Sequence, residues 1–488
     1  MKQDLIYFLP ELIVSITVLF LFLLDCFIGK RSRRIFPVIA FIGIAAMMLA
    51  NKSSSPLPSA RFFSDMMVFD HVSVLFKYIF GLAGLIAIVI ANGSHELEKV
   101  DKANYFTLLT ALVLGMMLLA NAHHFLMIYL SLEMVSLLSY ILTGSLQGSR
   151  RSSEASLKYV IYGGVASGIM AYGISILYGL TGSMTLTGVA EFLRMNAVSK
   201  TALYTSVLMI MAGFGFKVAS VPFHMWCPDV YEGAPTPFTA FLSVGPKAAG
   251  FAVLLRFFFG ALSQTTTSGI EPIKIIGLPA LLGGLSIATM TLGNLAALQQ
   301  KSMKRLLAYS SIAHAGYMLL ALVALNAEAV TGVIFYLSVY LLMNLGAFLV
   351  LIIVGDQLGS EDISVFQGLS KRGPFAALLS IVMTVFMFSL TGIPPMAGFI
   401  GKFYLFGSVI KSGHYTLAVI GMLNSVVSLY YYIRVVKIMY FDEPVDGRNL
   451  TTPMVSHAST VFALALLTIY LGLFWNGLAN IVGQAKLF

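Results

Sequence analysis

The sequence is poor in charge. Only 10% of its 488 residues are Asp, Glu, Lys or Arg, whereas 58% are hydrophobic. A soluble globular chain carries about 25% charged residues, so water is not the main solvent of this one. Apolar runs of about 17 to 25 residues recur from end to end, and each is long enough to cross a hydrocarbon core of about 30 Å as a helix. The composition predicts an all-α integral membrane protein.

Cysteine and cofactor-binding motifs are also scarce. The two cysteines, Cys26 and Cys227, form neither a CxxC pair nor a disulfide framework. No GxGxxG fingerprint is present, and GFIGKF around Lys402 lacks the spacing and the Ser or Thr of a phosphate loop. Nor is there a CxxCH haem site, or a Ser, His and Asp set at a family spacing. We therefore expect no cofactor, metal or redox centre on this chain, so that any oxidoreductase activity belongs to a larger assembly.

We predict about fourteen transmembrane helices. The first apolar run, from Leu9 to Ile28, is longer than a signal-peptide core and lacks a small-x-small cleavage site, which favours a retained span. The predicted spans lie near residues 9–28, 35–50, 70–91, 104–120, 125–145, 155–181, 202–220, 238–262, 275–298, 305–324, 330–354, 374–405, 416–439 and 455–475.

The distribution of basic residues predicts the orientation of these spans. With both termini outside, the inward loops carry more Lys and Arg than the outward loops, as the positive-inside rule requires. The residues that set this orientation most strongly follow the first span: Lys30, Arg31, Arg33 and Arg34. The net charge of +9 is thus spread over short loops. It forms no continuous patch for nucleic acid.

Several basic residues remain inside the predicted spans: Lys77, Lys158, Lys217, Lys247, Arg256 and Lys402. A charge at the bilayer centre costs at least about 2.5 to 3.5 kcal/mol on insertion scales, so each is a functional hypothesis by default. Lys77 and Arg256 lie near span ends, where long side chains can snorkel to the headgroups. For each of the six basic residues, the alternative to a functional role is a buried charge that serves only the structure.

Three of these lysines lie beside helix-breaking residues. Pro222 follows Lys217, Pro246 precedes Lys247, and a Pro-Pro pair at 394–395 precedes Lys402. Broken helices at membrane depth are tolerated only where they are buried in protein or line a wet cavity. We therefore expect these three lysines to line an internal path.

Glu133 is the carboxylate deepest in a predicted span. An unpaired carboxylate there would take up a proton, so it needs a cationic partner to stay ionised. Lys158 opens the next span on the same side and is the expected partner. The alternative is a static ion pair that only holds two helices together. His224, His314 and the hydroxyls near residues 309–317 could extend a proton path, because histidine titrates near neutrality. A hydrogen-bonded core histidine is the alternative for each.

Two segments share an unusual composition. MAGFGFKVASVPFH around Lys217 and SLTGIPPMAGFIGKF around Lys402 each combine glycines, prolines and one lysine in an apolar helix, five spans apart. Paired interrupted segments are typical of inverted-repeat transporters. We therefore predict two inverted five-helix repeats, each with a broken helix. The predicted divisions are a three-helix segment at 1–103, the first repeat at 104–262 (helices 4–8), the second at 275–439 (helices 9–13), and a last helix within 440–488.

A longer run of residues carries a family resemblance. KVASVPFHMWCPDVYEGAPTPFTAFLSVGPKAAGF, from Lys217 to Phe251, is similar to the signature of the antiporter-like membrane subunits of NADH-quinone oxidoreductase, respiratory complex I. KRLLAYSSIAHAGYML and TGIPPMAGFIGKFYLF extend the likeness over most of the chain. Within that family the chain most resembles the N-type. The L-type has a long carboxy-terminal lateral helix, and the M-type has a glutamate where this chain has Lys402.

The resemblance implies a proton-translocating subunit. In the family's route, Glu133 pairs with Lys158, and protons pass through Lys217 and Lys247 to Lys402, with His224 and His314 as further relay candidates. It implies partners among the M-type and the small K- and J-type subunits in a bacterial inner membrane. FMN, iron-sulfur clusters, NADH and quinone are expected on partner subunits. The alternatives are a subunit of an independent cation/proton antiporter and a passive assembly scaffold.

Overall fold

The structure is a computed structural model that describes residues 2–27, 34–55, 57–266, 269–272, 277–444 and 448–485. Three of the residues used to predict the orientation, Lys30, Arg31 and Arg33, lie outside these ranges.

Helices make up most of the described chain. Up to residue 256 they are α1 (Lys2–Tyr7), α2 (Leu9–Phe27), α3 (Phe36–Ser54), α4 (His71–Gly93), α5 (Lys102–Asn121), α6 (Phe125–Thr143), α7 (Arg150–Thr181), α8 (Leu186–Met195), α9 (Lys200–Val218), α10 (Trp226–Gly233) and α11 (Thr236–Arg256). A π-helical turn, Phe257–Ala261, prolongs α11.

The second half continues with α12 (Leu278–Leu298), α13 (Met303–Leu322), α14 (Ala327–Leu358), α15 (Pro374–Thr391), α16 (Ala397–Lys411), α17 (Tyr415–Phe441), α18 (Val455–Leu473) and α19 (Asn476–Gly483). Short 3-10 turns lie at His95–Leu97, Ile363–Phe366 and Leu369–Lys371. Two antiparallel hairpins lie in loops: β1 (Ala60–Phe62) pairs with β2 (Met67–Phe69), and β3 (Ser263–Thr266) pairs with β4 (Gly269–Pro272).

The predicted fold class, an all-α integral membrane protein, is confirmed. Thirteen helices within the described ranges are long and apolar enough to cross a membrane. A further helix, α13, is 20 residues long and matches the predicted span 305–324. It is less apolar than the others because it carries Lys304, Arg305 and His314. Each of the fourteen predicted spans thus has a helix.

Two spans are interrupted where the sequence predicts a break. Helix α9 ends at Val218, the next residue, Ala219, adopts the left-handed conformation (φ 58°), and α10 begins only at Trp226. Helix α15 ends at Thr391, Gly392 follows in the left-handed conformation (φ 89°), and α16 begins at Ala397. Glycine accepts this conformation without strain at the second break, and prolines shortly after both helices cannot continue a helix ladder.

Two sets of elements share one order of packing. The first set is α5, α6, α7, α9 with α10, and α11, and the second is α12, α13, α14, α15 with α16, and α17. In the first set α5 packs on α6, α6 on α7, α7 on both halves of the broken helix, and α5 on α11; the second set repeats these contacts. The predicted repeat boundaries and the inverted relationship of the two repeats stay predictions.

The centre of the bundle lies between α11 and α14. Every residue of α11 is buried, and α14 is buried over most of its 32 residues. Helices α2, α17 and α18 expose many large apolar side chains, as a lipid-facing position requires. Side chains on α11 are therefore the ones best shielded from lipid.

Candidate functional site

Lys217 lies in the last turn of α9, at the first helix break. Its side chain is only 3% exposed, and its ammonium donates a hydrogen bond of 3.2 Å to Ser136 Oγ on α6. A helix C-terminus presents unpaired carbonyls and the negative end of the helix dipole, which favours a cation there. The sequence places this lysine at the end of the helix because the break follows directly.

Lys402 lies on α16, just beyond the second break. Its ammonium donates hydrogen bonds of 2.8 Å to the carbonyl of Thr391, the last residue of α15, and to Ser425 Oγ on α17. It also lies 4.7 Å from the centre of the Tyr317 ring. Gly392 leaves room for the lysine side chain, because a Cβ there would come within 2.9 Å of Lys402 Cδ. Both interrupted helices thus place an ammonium near the C-terminus of their first half.

Lys247 lies at the middle of α11 and is 2% exposed. Its ammonium donates to the carbonyl of Ser311 at 2.6 Å and to the Ser311 hydroxyl. Gly250, one turn further along α11, packs against the stem of Lys217: a Cβ there would lie 3.3 Å from Lys217 Cγ. The stem of Lys217 therefore packs against α11 one turn from Lys247.

His314 connects the region of Lys247 to that of Lys402. Its Nδ1 lies 2.5 Å from the Tyr336 hydroxyl, and its Nε2 lies 3.1 Å from the Tyr432 hydroxyl. Tyr432 also bonds to Ser310, the residue next to the serine that holds Lys247. On the other side, the His314 ring contacts Tyr317 edge-on at 5.7 Å, and Tyr317 is the ring below Lys402. The predicted histidine thus lies between two predicted lysines.

His224 lies in the first break and is 7% exposed. Among the described residues its Nδ1 has no hydrogen-bond partner. Its role in the relay stays a prediction.

Glu133 lies on α6, one turn before Ser136. Its charge interacts with Lys217, and within the described ranges its buried Oε1 atom has no hydrogen-bond partner. Because Ser136 bonds to Lys217, residues of one face of α6 reach the first lysine of the predicted path.

The expected pairing of Glu133 with Lys158 is wrong for this structure. Lys158 bonds instead to Asp229 on α10 at 2.7 Å and to Glu154 on its own helix at 2.8 Å. Its side chain is 38% exposed, whereas the three lysines above are nearly fully buried. Lys158 lies only two turns into α7, near the solvated loops, which explains the difference. Sequence spacing missed Asp229 because it follows the helix break.

Lys77 and Arg256 do not snorkel as predicted. Lys77 is fully buried and lies 2.8 Å from Glu11 on α2, which also accepts a hydrogen bond from Asn121. Arg256 is held by both carboxylate oxygens of Asp70 at 2.9 and 3.0 Å, in the bidentate geometry that the planar guanidinium favours. The sequence did contain one signal for Asp70, since it precedes His71 as the N-cap of α4.

Six of the buried Lys and Arg side chains in the described ranges fall into two groups, and a seventh, Arg372, lies in the loop before α15. Lys77, Arg256 and Lys304 each have a carboxylate partner, Lys304 through Glu361 at 2.9 Å. The hydrogen bonds recorded in the described chain for Lys217, Lys247 and Lys402 go to neutral hydroxyl and carbonyl oxygens. Losing its cationic partner would leave Glu11 or Asp70 as an uncompensated buried charge. The hydrogen bonds of Lys247 and Lys402 carry no such penalty in either protonation state, whereas the charge of Lys217 is coupled to that of Glu133.

A polar cavity of about 540 Å³ opens beside the N-terminus of α11. Thr236 begins this helix, donating its backbone N–H to Glu96 at 2.7 Å and its hydroxyl to Glu361. Burial raises the pKa of Glu96, the nearby Lys304 ammonium opposes this change, and Glu361 adds to it. The cavity therefore places acidic groups at one end of the helix that carries Lys247.

The described residues contain no group of three or more His, Cys, Asp or Glu side chains arranged to hold a metal ion. Cys26 and Cys227 are free thiols, the first exposed and the second buried.

Comparisons with known proteins cover nearly the whole chain. Residues 122–428 match the family described as NADH:quinone oxidoreductase/Mrp antiporter, TM. NADH-quinone oxidoreductase subunit N of Anaeromyxobacter sp. (strain Fw109-5) is 44% identical in an alignment that covers 97% of this chain and 95% of that protein. Subunit N 2 of Chloroherpeton thalassium is 44% identical over 485 residues, 98% of this chain and 94% of the relative.

Solved structures share the fold. A chain of respiratory complex I from Thermus thermophilus with bound aureothin superposes with a TM-score of 0.81 at 30% identity, over 98% of this chain and all of that one. A chain of the Mrp complex from Dietzia sp. superposes with a TM-score of 0.83 at 20% identity, over 98% of this chain and 96% of that one, which shows the fold alone. With its full-length likeness to subunit N proteins, the chain belongs to the subunit N family of NADH-quinone oxidoreductase, within the antiporter-like membrane subunits.

Proposed function

We propose that this chain moves protons across a bacterial inner membrane as part of a proton-translocating NADH-quinone oxidoreductase. The proposed relay runs from Lys217 through Lys247 and His314 to Lys402, with Glu133 setting the charge state of the first lysine. The observation that carries the proposal is the second group of buried cations, whose hydrogen-bond partners are neutral oxygens.

The proton passes between groups that can both give and take it. A neutral Lys247 amine accepts a proton from the Lys217 side, and its ammonium then donates through the Ser311 and Ser310 region to Tyr432 and His314. Hydroxyl groups suit such transfers because each is both donor and acceptor. His314 suits them because imidazole titrates near neutrality. Ordered water would complete the steps between groups that do not touch, because buried polar atoms are nearly always hydrogen-bonded.

A row of polar side chains supports access to Lys247 from the polar cavity. Thr236, Thr239 and Ser243 precede Lys247 on α11 at intervals of three or four residues, which places them along one face. Ser243 accepts a hydrogen bond of 2.6 Å from Asn344 on α14. In the described part of the chain the buried Oδ1 of Asn344 has no partner, so water is its natural donor.

The energy for transport comes from outside this chain. Moving one elementary charge against 100 mV requires about 2.3 kcal/mol. In the proposal, quinone reduction on partner subunits supplies it, with NADH, FMN and iron-sulfur clusters on those partners and M-type, K-type and J-type subunits as membrane neighbours. Movement of charge near Glu133 alternately stabilises and releases the ammonium of Lys217. Both termini lie outside in this proposal.

Proton-to-electron stoichiometry in reconstituted vesicles tests the relay. Lys217→Ala and Glu133→Ala should each abolish pumping-coupled turnover while the complex still assembles. The matched control replaces Glu11 and Lys77 together, by Gln and Met, because this removes a buried cation that has a carboxylate partner. Wild-type stoichiometry in either alanine variant eliminates the relay.

Two other readings remain separable by experiment. A subunit of an independent cation/proton antiporter would exchange ions in vesicles that contain neither NADH nor quinone. A passive scaffold would tolerate replacement of Lys217, Lys247 and Lys402 by Met with turnover and pumping intact. The relay proposal expects no exchange in the first experiment and loss of pumping in the second.

A further inference from the structure

The half-helix α10 carries a charged face and a buried face. On the charged face, Asp229 Oδ2 accepts from Lys158 on α7 at 2.7 Å, and Oδ1 accepts from Arg305 on α13 at 2.8 Å. Arg305 also reaches Glu232, one turn further along α10, at 2.8 Å. Because α7 belongs to the first five-helix set and α13 to the second, Asp229 is a single carboxylate shared by cations from both sets.

The buried face of α10 adjoins the proposed relay. Cys227 is fully buried and lies close enough to Lys247 for an electrostatic interaction. Trp226 donates its Nε1–H to the carbonyl of Phe216 at 3.1 Å, and Phe216 is the residue before Lys217. A shift of α10 would therefore change the surroundings of both Lys217 and Lys247.

Helix α7 holds α10 through two neighbouring residues. Lys158 bonds to Asp229, and the ring of Tyr159 stacks on Trp226 with centroids 4.3 Å apart and planes 10° apart. Gly233 at the end of α10 allows this approach, because a Cβ there would come within 2.6 Å of the Arg151 carbonyl oxygen. Packing sets the distance between the helices, and the ion pairs fix the position of α10 between α7 and α13.

We propose that Asp229 is a positioning residue that holds α10 against both five-helix sets, and that Lys158 serves the relay through Asp229 and not through Glu133. This inference rests on the proposed relay, since positioning matters only if Lys217 and Lys247 carry protons. In it, Lys158 never accepts or releases a transported proton. Its contribution is a fixed positive charge, which pairs with Asp229.

The chain's own thiol reports the position of α10. In a Cys26→Ser background, Cys227 is the one cysteine left in the sequence, and it is buried on the inner face of α10. The test measures the rate at which N-ethylmaleimide labels Cys227 in the assembled complex, read by mass spectrometry of this subunit. It requires neither NADH nor a proton gradient, so its result is independent of whether the relay exists.

We expect Lys158→Met to raise the labelling rate about fivefold, the scale for losing one partly exposed ion pair. Asp229→Asn should raise it at least as much, because it removes the ion pairs with both Lys158 and Arg305. The double variant should label no faster than Asp229→Asn alone, because that change already removes the bond to Lys158. Lys158→Arg should restore the wild-type rate, since it keeps the charge that Asp229 needs. Glu133→Gln should leave the rate unchanged.

A pumping cycle gives the second readout. Lys158→Met should reduce the pumping rate, and adding it to Asp229→Asn should lower the Asp229→Asn rate no further. A multiplicative effect of Lys158→Met on top of Asp229→Asn overturns the inference. So does a Cys227 labelling rate that Asp229→Asn leaves unchanged.

Discussion

Lys247 donates to the carbonyl and the hydroxyl of Ser311, and the adjacent Ser310 bonds to the Tyr432 hydroxyl that lies 3.1 Å from His314. Two consecutive serines on α13 therefore face two different titratable groups. In the proposed relay, the Tyr432 hydroxyl therefore connects the serines beside Lys247 to His314.

Tyr432→Phe should lower the pumping rate at least tenfold, because a positioned proton carrier typically contributes about 100-fold or more. Tyr440 on the same helix provides the control. Its hydroxyl accepts from Thr384 at 3.5 Å, and neither residue belongs to the proposed relay, so Tyr440→Phe should pump at close to the wild-type rate. Proton uptake by vesicles during NADH oxidation distinguishes the two. Equal rates in both variants would remove Tyr432 from the path.

Ser136→Ala should weaken the hold on Lys217. It deletes the hydroxyl that accepts from the lysine ammonium at 3.2 Å, and a buried donor without its partner costs about 1 to 3 kcal/mol. We expect a several-fold slower pumping rate with an intact complex. Ser139 lies on the same helix and bonds to the carbonyl of Val135, so Ser139→Ala is the matched control. An effect of Ser139→Ala as large as that of Ser136→Ala would contradict this role.

Gly392→Ala should distort the backbone at the break between α15 and α16. The residue has φ 89°, where a side chain costs about 1 to 3 kcal/mol, and its new Cβ would lie 2.9 Å from Lys402 Cδ. We expect lower thermal stability together with loss of pumping. Gly407 on α16 has no neighbouring atom within 4 Å of a Cβ, so Gly407→Ala should leave both properties near wild type. Melting temperature and proton uptake are the measurements.

Lys77→Met should destabilise the subunit by about 3 to 5 kcal/mol, because it leaves the buried carboxylate of Glu11 without its counter-charge. Adding Glu11→Gln should recover most of that loss, since a neutral pair of similar volume removes the uncompensated charge. Thermal unfolding of the purified complex measures both. If the double variant melts no higher than Lys77→Met, the pair is not a structural unit.

The sequence predicts the helices well because an apolar run of sufficient length can satisfy its backbone in lipid only as a helix. It also singles out Lys217, Lys247 and Lys402, because each lies near a proline in an apolar run, but the break expected beside Lys247 is wrong, since α11 continues through Pro246. The sequence does not predict the carboxylate partners of the other basic residues. Asp70 lies 186 residues from Arg256, and Lys158 meets Asp229 only because the chain breaks and turns back after α9. The prediction that Lys77 snorkels is wrong because its distance from the span end indicates its depth in the membrane, whereas its burial depends on the helices packed around it.

The oxygen that Thr391 offers to Lys402 belongs to the main chain, and so do the carbonyls at the end of α9 near Lys217. No replacement of a side chain can delete them. Variation in the surrounding hydroxyls can therefore change how fast a proton leaves, while the backbone keeps a constant attraction for positive charge at both ends of the path. Partial loss of pumping should be the common outcome of replacing the hydroxyl side chains around these lysines, and complete loss should be confined to changes in the lysines, in Glu133 or in the helix breaks beside the lysines.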